Sequence, residues 1–191
     1  MKKFFTLCLA LLFVLSGCSK NASVVSLENL PADYSIDDAK RDKCVVFENR
    51  DITSGQSVWD AFIRAKDDGE NATVRLAYYY TIEDPSHYSE EYYNKIKDDY
   101  PVLYLKELTA NGDGFVLTGF EDGEKITKEY KYLVRYEGEP SSPYAVFSHY
   151  TYYVLVNDET VTWEEIEYGM YSSQSGDLID HYSVYSDLVY K

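Results

Sequence analysis

Six tyrosines in two clusters are the residues whose type and spacing most suggest molecular recognition. They are the consecutive run at residues 78–80 and, later in the chain, Tyr150, Tyr152 and Tyr153. A tyrosine ring offers a flat apolar face to a sugar, a peptide or a protein, and its hydroxyl donates a hydrogen bond. Two interpretations remain open: rings that line a binding surface, and rings packed in a core with their hydroxyls at the edge of a sheet.

Arg75 and Glu83 flank the first tyrosine cluster, in the stretch VRLAYYYTIEDP. Arg75 alternates onto the same side of a predicted strand as Tyr79. A half-buried guanidinium needs a partner, which Glu83 or an acid on a neighbouring strand would supply. Both an internal salt bridge and a ligand clamp fit this pattern. The candidate ligand-binding residues are therefore Arg75, Tyr79, Glu83, Tyr150 and Tyr152.

Metal ligands and nucleophiles form no recognisable constellation in the sequence. His87, His149 and His181 lie far apart, with no Cys–His cluster, so no metal site is predicted. The Asn-Gly-Asp-Gly sequence from Asn111 lacks the closing ligands of a calcium loop and predicts a hairpin turn. Cys44 lies in an apolar run, where an inert buried thiol is expected. We predict no cofactor and no enzyme activity, although a carboxylate pair assembled in three dimensions would escape this test.

The N-terminal residues have the pattern of a bacterial lipoprotein signal. Lys2 and Lys3 precede an apolar run at residues 4–15, which is too short for a bilayer core that needs about 20 residues. The run leads into Leu-Ser-Gly-Cys, and Cys18 occupies the position that receives a diacylglyceryl group in a lipobox. We predict a signal peptide over residues 1–17, lipidation of Cys18 and anchoring to the outer face of a cell membrane. The alternative is an ordinary secreted protein.

Charge and cysteine content narrow the class of protein further. The formal net charge of −15 becomes −17 once Lys2 and Lys3 leave with the signal peptide. Such an acidic surface argues against nucleic-acid partners and against direct binding to anionic lipid head groups. Cys8 leaves with the signal and Cys18 carries the lipid, so Cys44 has no disulfide partner. The remaining residues suffice for one domain held by its hydrophobic core.

The apolar pattern predicts an α+β fold: a mostly antiparallel sheet packed with two to four short helices, in a single domain over residues 33–191. Residues 18–32 lack a sustained period and are predicted to be the lipidated tether. Helices are predicted to begin after Ser35, Ser57 and Thr162 and to cover residues 86–99. Strands are predicted over residues 44–47, 74–81, 102–105, 115–120, 126–136, 144–156 and 178–190.

Two of these predicted strands carry more detailed expectations. In the strand at residues 74–81, Val74, Leu76, Tyr78 and Tyr80 share the face that is expected to serve the core. This strand and the one at residues 44–47 are separated by a helix, which indicates either a parallel crossover or a helix laid across a sheet. The run at residues 144–156 is apolar on both faces and is therefore expected to be a central strand.

Residues 34–85 resemble domain-of-unknown-function family 4362, which comprises small exported and lipoprotein domains of Gram-positive bacteria. The resemblance rests on Tyr34, Ala39, the apolar strand at 44–47, the helix around Trp59 and the stretch VRLAYYYTIEDP. The family pattern ends in Tyr-Thr-x-Glu-Gly-Asp-Pro. This chain lacks the glycine, so its turn before the proline is expected to differ. The resemblance implies a small α+β domain on an exported protein and no particular activity, because none is assigned to the family.

These observations predict an extracytoplasmic lipoprotein that acts as a non-catalytic binding or interaction module of the cell envelope. Its expected ligand is a protein, a peptide or a carbohydrate. An accessory structural subunit of a membrane complex is the alternative, and an envelope hydrolase is less favoured. The binding hypothesis fails if the tyrosines of both clusters are all buried. The hydrolase hypothesis requires a pocket in which His149 or His181 reaches a carboxylate or a hydroxyl.

Overall fold

The computed structural model describes residues 25–140, 142–172 and 178–191, which form one α+β domain. The described chain contains nine β-strands in two sheets, four α-helices and three short 3-10 helices. This confirms the predicted fold class, a mostly antiparallel arrangement with a few short helices. The predicted signal peptide, the lipidation site at Cys18 and the first part of the tether lie outside the described residues.

The strands and helices are numbered in chain order. The strands are β1 (Val45–Glu48), β2 (Asp51–Ser54), β3 (Ala72–Tyr80), β4 (Val102–Asn111), β5 (Gly114–Glu121), β6 (Glu124–Tyr130), β7 (Tyr132–Gly138), β8 (Phe147–Val156) and β9 (His181–Tyr190). The α-helices are α1 (Ile36–Arg41), α2 (Gln56–Asp67), α3 (Glu90–Ile96) and α4 (Trp163–Tyr171). The 3-10 helices are Leu27–Asn29, Pro85–His87 and Lys97–Asp99.

The two sheets differ in size and in pairing. The large sheet has the strand order β2-β1-β3-β4-β5-β6, and the small sheet has the order β7-β8-β9. Among the described strands only β1 and β3 pair in parallel, because α2 carries the chain back between them. The strand–helix–strand pattern is therefore a parallel crossover. Strand β8 lies at the centre of the small sheet, as its two apolar faces predicted.

The inner faces of the two sheets pack together, with α2 beside them, around one hydrophobic cluster. The large sheet contributes Leu76 and Leu108, the small sheet Leu155 and Tyr185, and α2 contributes Trp59. The Trp59 ring stacks on Tyr185 with centroids 4.9 Å apart. Since each buried aromatic removes a large apolar area from water, this shared cluster binds the two sheets into a single core.

Two smaller clusters cover the outer faces of the sheets. On the large sheet, α1 places Ala39 against Val46 and Ala77. On the small sheet, α4 places Ile166 against Val154. The layers therefore run from α1 through the large sheet, the shared core and the small sheet to α4, and each sheet is apolar on both faces.

One predicted strand is in fact two strands in different sheets. The sequence predicted a single strand over residues 126–136, but β6 ends at Tyr130 and β7 begins at Tyr132. At the corner, the backbone N–H of Lys131 donates to Oδ1 of Asn157 at 3.2 Å. Tyr130 packs in the shared core, whereas Tyr132 packs beneath α4. The apolar alternation continues through the corner, which is why the pattern concealed the change of sheet.

Three further boundaries differ from prediction. Strand β2 was not predicted from the sequence, because its residues DITS lack apolar alternation; the structure places it at the edge of the large sheet. The predicted helix at residues 86–99 is divided into two 3-10 turns and α3, with Ser89 capping α3. Helix α2 begins at Gln56 after Gly55, rather than after Ser57. Gly55 has φ +83°, and a Cβ there would lie 2.3 Å from the carbonyl oxygen of Cys44; only glycine fits this turn.

Candidate functional site

A concave surface lined by aromatic rings lies between the large sheet and β9. We name it the tyrosine cleft. Its volume is about 490 Å³, which is in the range of small-ligand sites. It is lined by Tyr78, Tyr80, Tyr104, Lys106, Phe120, Glu121, Asp122, Tyr182 and Ser183.

Strand register brings the rings of the cleft together. Tyr78 and Tyr80 lie on one face of β3, and Tyr104 lies opposite Tyr78 on β4. The Tyr80 and Tyr104 rings meet edge to face, with centroids 6.1 Å apart. The Tyr78 hydroxyl donates to the carbonyl oxygen of Val184 at 2.8 Å, which fixes β3 against β9. Tyr104 is 49% exposed, so its ring forms an open rim.

Lys106 forms the cationic part of the cleft. Its side chain is only 14% exposed, and its Nζ lies 3.6 Å from Oε1 of Glu121. The same nitrogen lies 5.0 Å from the ring centroid of Tyr182, a cation–π distance. Gly119 pairs with Lys106 across β4 and β5. A Cβ at Gly119 would lie 3.1 Å from Cγ of Lys106, so the glycine leaves room for the lysine.

The partly buried phenol groups of Tyr80 and Tyr182 have raised pKa values and stay neutral at ordinary pH. Burial is the main cause that raises the pKa of Tyr182, and the nearby Tyr80 and Glu121 raise it further. Burial also raises the pKa of Tyr80, although Arg50 opposes the shift. The cleft therefore combines flat apolar rings and neutral hydroxyls with one ammonium and two carboxyl side chains. This arrangement can stack on a ligand and exchange hydrogen bonds with it.

A second concave surface, which we name the adjacent groove, shares Tyr80 with the cleft. Its volume is about 470 Å³. The Asn49 side chain fixes its position next to β3: Nδ2 donates to Oγ1 of Thr81 at 2.8 Å, and the Thr81 N–H donates to Oδ1 of Asn49 at 3.0 Å. The groove is lined by Asn49, Arg50, Tyr80, Thr81, Glu83, Tyr88, Tyr100, Val146, Phe147, Leu188 and Tyr190.

Arg75, a predicted site residue, lies on the outer face of the large sheet and away from the cleft. Its side chain is 8% exposed and lies 3.2 Å from Oε2 of Glu107 on β4. The guanidinium also donates to the carbonyl oxygen of Val25 at 2.7 Å. Its partner is the acid on the neighbouring strand and not Glu83, so Arg75 has the geometry of an internal salt bridge.

The other predicted site residues are dispersed. Tyr79 lies on the outer face of β3, whereas Glu83 borders the adjacent groove, 3.2 Å from Nδ1 of His87. Tyr150 and Tyr152 stack with centroids 4.9 Å apart on the outer face of the small sheet. The structure brings together this last pair only. Of the six clustered tyrosines, Tyr150 is buried and the other five are partly exposed, so the condition that would have excluded a binding surface is not met.

Sequence reasoning missed most of the residues that form the cleft, among them Tyr104, Lys106 and Tyr182. These three come from β4 and β9, and they meet β3 only through sheet register and sheet packing. The pairing of Lys106 with a glycine was the one possible signal in the sequence. It becomes visible only once the hairpin of β4 and β5 is aligned, and that alignment follows from the Asn111 turn.

His149 and His181 contact neighbouring groups of the fold, and Cys44 lies in the interior. Nδ1 of His181 lies 2.8 Å from the carbonyl oxygen of Ile179, and the His149 ring lies 6.4 Å from that of Tyr150. Cys44 is buried, which raises the pKa of its thiol. Within the described ranges, no group of three His, Cys, Asp or Glu side chains could hold a metal ion.

Comparisons with known proteins give no relative of this chain. No protein-family model, curated protein or solved structure matches it. The resemblance of residues 34–85 to family 4362 therefore stays a prediction. None of the helices in the part of the chain that the structure describes is long and apolar enough to cross a membrane.

Proposed function

We propose that the protein is a lipid-anchored, extracytoplasmic binding module that receives a saccharide in the tyrosine cleft without hydrolysing it. The observation that carries this proposal is the composition of the cleft: aromatic rings around Lys106 and Glu121. An aromatic ring packs on the apolar C–H face of a sugar, while charged side chains bind its hydroxyls.

The polar groups of the cleft favour a polyhydroxylated ligand. A sugar hydroxyl both donates and accepts hydrogen bonds, so it needs donors and acceptors side by side. Lys106 supplies N–H donors, and Glu121 and Asp122 supply carboxylate acceptors. The exposed ring of Tyr104 can be covered by a ligand without disturbing the core.

The relative position of its two carboxylates is the reason that the cleft is proposed as a binding site rather than a catalytic one. Glycoside hydrolysis generally uses two carboxyl groups on opposite sides of the scissile bond. Glu121 and Asp122 are neighbours in sequence, and Glu121 already lies beside the Lys106 ammonium. Product analysis after incubation with each oligosaccharide tests this point; release of shorter sugars would contradict it.

The saccharide proposal is tested by titrating the mature, non-lipidated Cys18→Ser protein with chitotetraose, cellotetraose and maltotetraose while recording NMR spectra. We expect saturable shifts for at least one sugar. Tyr104→Ala should weaken its binding by up to about tenfold, the value of one aromatic contact. Tyr168→Ala is the matched control, because Tyr168 is an exposed tyrosine on α4. A sugar concentration of about 10 mM would reveal even millimolar affinity. If no sugar shifts a cleft signal at that concentration, the saccharide proposal is wrong.

Anchoring is tested by Cys18→Ser in the full-length chain. We expect this variant to leave the membrane fraction and to lack the added lipid mass, because a lipid on Cys18 is the proposed anchor. Cys44→Ser is the matched control and should stay with the membrane, since Cys44 is buried in the domain. Membrane retention of Cys18→Ser would contradict lipid anchoring at this residue.

An exposed apolar patch favours a second candidate function, that of an accessory subunit. Val146 and Tyr190 are at least half exposed and both border the adjacent groove, and the Lys191 N–H donates to the carbonyl oxygen of Val146, which joins the two segments. Contiguous exposed apolar residues mark protein contacts. On a native gel of solubilised membranes, Val146→Asp should then shift the protein from a larger species to monomer size.

A further inference from the structure

Apart from the tyrosine cleft and the adjacent groove, another pocket lies on the outer face of the small sheet, between β8 and the start of α4. We name it the acidic aromatic pocket. Its volume is about 210 Å³. It is lined by Glu139, Pro140, Ser142, Ala145, Phe147, Tyr150, Tyr152, Trp163, Glu164 and Glu167. We propose that this pocket binds the cationic head of an alkylammonium compound.

Three packed rings form the wall of this pocket: Tyr150 and Tyr152 are stacked, and Trp163 lies tilted against both. The centroid of Trp163 lies 4.4 Å from that of Tyr152 and 6.1 Å from that of Tyr150. Phe147 extends the wall, 6.4 Å from Tyr150. The face of an aromatic ring carries negative charge, so a cation held against such rings is attracted to them, most strongly by tryptophan. Tyr150 is buried and Tyr152 and Trp163 are half-buried, so the ring wall excludes part of the water that would weaken this attraction.

Carboxylates supply the second half of the site. Glu139, Glu164 and Glu167 line the pocket, and among the described residues none of the three forms an ion pair. The described lining includes no lysine, arginine or histidine. Burial raises the pKa of Tyr150, and the negative charge of the nearby Glu164 and Glu167 raises it further.

The dipole of α4 opposes the binding of a cation at its N-terminus, and acidic residues in the first turn of the helix offset this effect. Helix α4 begins at Trp163, and its N-terminus carries partial positive charge. Glu164 and Glu165 lie in the first turn of this helix, where acidic side chains neutralise that charge. Glu165 also accepts the N–H of the Thr162 cap. The net field at the pocket mouth is therefore set by the unpaired carboxylates.

The size of the pocket selects a small head group. A volume of about 210 Å³ corresponds to about seven water molecules in the liquid, enough for an ammonium nitrogen with its methyl groups or methylene stem. A quaternary ammonium has no N–H to satisfy and places its methyl groups on the rings. A primary ammonium donates to the carboxylates instead. Both share the alkylammonium chemistry, and the experiment below separates them.

This inference goes beyond the proposed saccharide function and does not depend on it. Tyr152 packs beneath α4, whereas Tyr182 of the cleft packs against the shared core. The two sites therefore lie on opposite faces of the small sheet. Tyr104→Ala in the cleft should leave alkylammonium binding unchanged, so failure of one proposal is distinguishable from failure of the other.

The two tryptophans of the chain provide the readout, since each gives a separate indole N–H signal in NMR. Trp163 lines the pocket, and Trp59 is 1% exposed in the shared core. Choline chloride should move the Trp163 signal saturably and leave the Trp59 signal in place. The neutral isostere 3,3-dimethylbutan-1-ol should bind at least about tenfold more weakly, because it lacks the charge. Equal binding of the two compounds, or no Trp163 shift at about 100 mM choline, would overturn the proposal.

Two variants and a third compound complete the test. The double variant Glu164→Gln with Glu167→Gln keeps side-chain size and should lose about tenfold in affinity, while Glu159→Gln, an exposed glutamate outside the pocket, should bind choline as the unmodified protein does. An unchanged Trp59 signal verifies folding. Nα-acetyl-lysine methylamide distinguishes the two kinds of alkylammonium ligand. If it binds more tightly than choline, the preferred ligand is a lysine side chain; if it binds more weakly, the preferred ligand is a quaternary ammonium. If the double variant binds choline as tightly as the unmodified protein, the carboxylates have no role and the proposal fails.

Discussion

The guanidinium of Arg75 joins three segments of the chain through one side chain. It extends from β3, lies beside Glu107 on β4 and donates to the carbonyl oxygen of Val25, which precedes the first helix. Because Arg75 is buried, its charge depends on these partners for stabilisation. Arg75 therefore holds the N-terminal segment on the large sheet, together with the ion pair between Glu28 and Lys125 of β6.

Replacing Arg75 by methionine should release this segment and destabilise the domain. We expect the free energy of unfolding to fall by about 2 kcal/mol, less than for a fully buried pair because Glu107 is one-third exposed. Urea denaturation measures this loss, and limited proteolysis should cut near residues 25–30. Lys40→Met is the control: it breaks an exposed ion pair with Glu48 and should change stability less. Equal losses in the two variants would contradict the role assigned to Arg75.

Glycine at position 55 is required by both conformation and space. Gly55→Ala places a left-handed alanine against the Cys44 carbonyl, so we expect a loss of about 3 kcal/mol. Gly69 also has a positive φ, of 74°, but a Cβ there meets no atom within 4 Å. Gly69→Ala is therefore the matched control and should cost about 1 kcal/mol. Urea denaturation of both variants checks the prediction, and similar losses would show that the close approach at Gly55 is unimportant.

At the residue scale, sequence alternation identified which side chains face which way but not their partners. It placed Arg75 on a half-buried face and required an acidic partner. The actual partner, Glu107, follows from the pairing of β3 with β4, a register that a single strand does not encode. For the same reason Tyr80 was assigned to the core, although its ring also borders the cleft.

Helix α1 begins with a capping box that should make stability depend on pH. The Asp38 carboxylate accepts from the Ser35 N–H at 2.8 Å and from the Ser35 hydroxyl at 2.6 Å. These bonds, with Arg41, lower the pKa of Asp38 to about 2. Because the pKa is lower in the folded state, the stabilisation is present at pH above about 4 and is lost as the pH falls towards 2.

Thermal unfolding of Asp38→Asn across pH tests this expectation. The variant should melt at a lower temperature than the unmodified protein at pH 6, and the difference should shrink as the pH falls towards 2, because Asp38 then becomes protonated in the folded state as well. Asp37→Asn, in the same first turn, is the control and should show a smaller difference at pH 6. A constant difference for Asp38→Asn at every pH would contradict the capping role.

At the element scale, features with local causes could be predicted and features with distant causes could not. The capping box of Thr162 and Glu165 and the hairpin turn after Asn111 depend on neighbouring residues, and both occur as predicted. The corner at Lys131 was missed because its amide partner, Asn157, lies far along the chain. Strand β2 was missed because a polar edge strand has no apolar alternation to reveal it.

The whole molecule is built so that its layers share strands. Within β8, Leu155 packs in the shared core, while Val154 and Val156 pack beneath α4. Loss of either cluster therefore removes support from the same strand. We expect the domain to unfold as one cooperative unit, as small single domains usually do.

This cooperativity can be measured with the same two tryptophan signals in a urea titration. Trp59 reports on the shared core and Trp163 on the outer cluster of the small sheet. Their native indole signals should lose intensity with the same midpoint, because the two clusters depend on common strands. Earlier loss of the Trp163 signal would show that α4 unfolds separately from the rest of the domain.

The fold class followed from the sequence, but the division into two sheets and the cleft did not. The cleft combines Tyr80, Lys106 and Tyr182 from three strands of two sheets. The cleft exists only because the chain changes sheet at the corner between β6 and β7. The apolar alternation continues through the corner without a break, so the pattern gives no sign of the change. Tyr150 and Tyr152 lie together in the structure, since residues two apart on a strand share a face.

If the chain is anchored at Cys18 as proposed, the hydrogen bond from Arg75 to Val25 has a mechanical consequence. Tension along that segment reaches Arg75, and hence β3, which is hydrogen-bonded on one side to β1 and on the other to β4. The load is then shared between two ladders in the interior of the largest sheet. Without this attachment it would fall first on the exposed ion pair between Glu28 and Lys125 and then on the short helix α1, a single element that can be peeled from the surface one turn at a time.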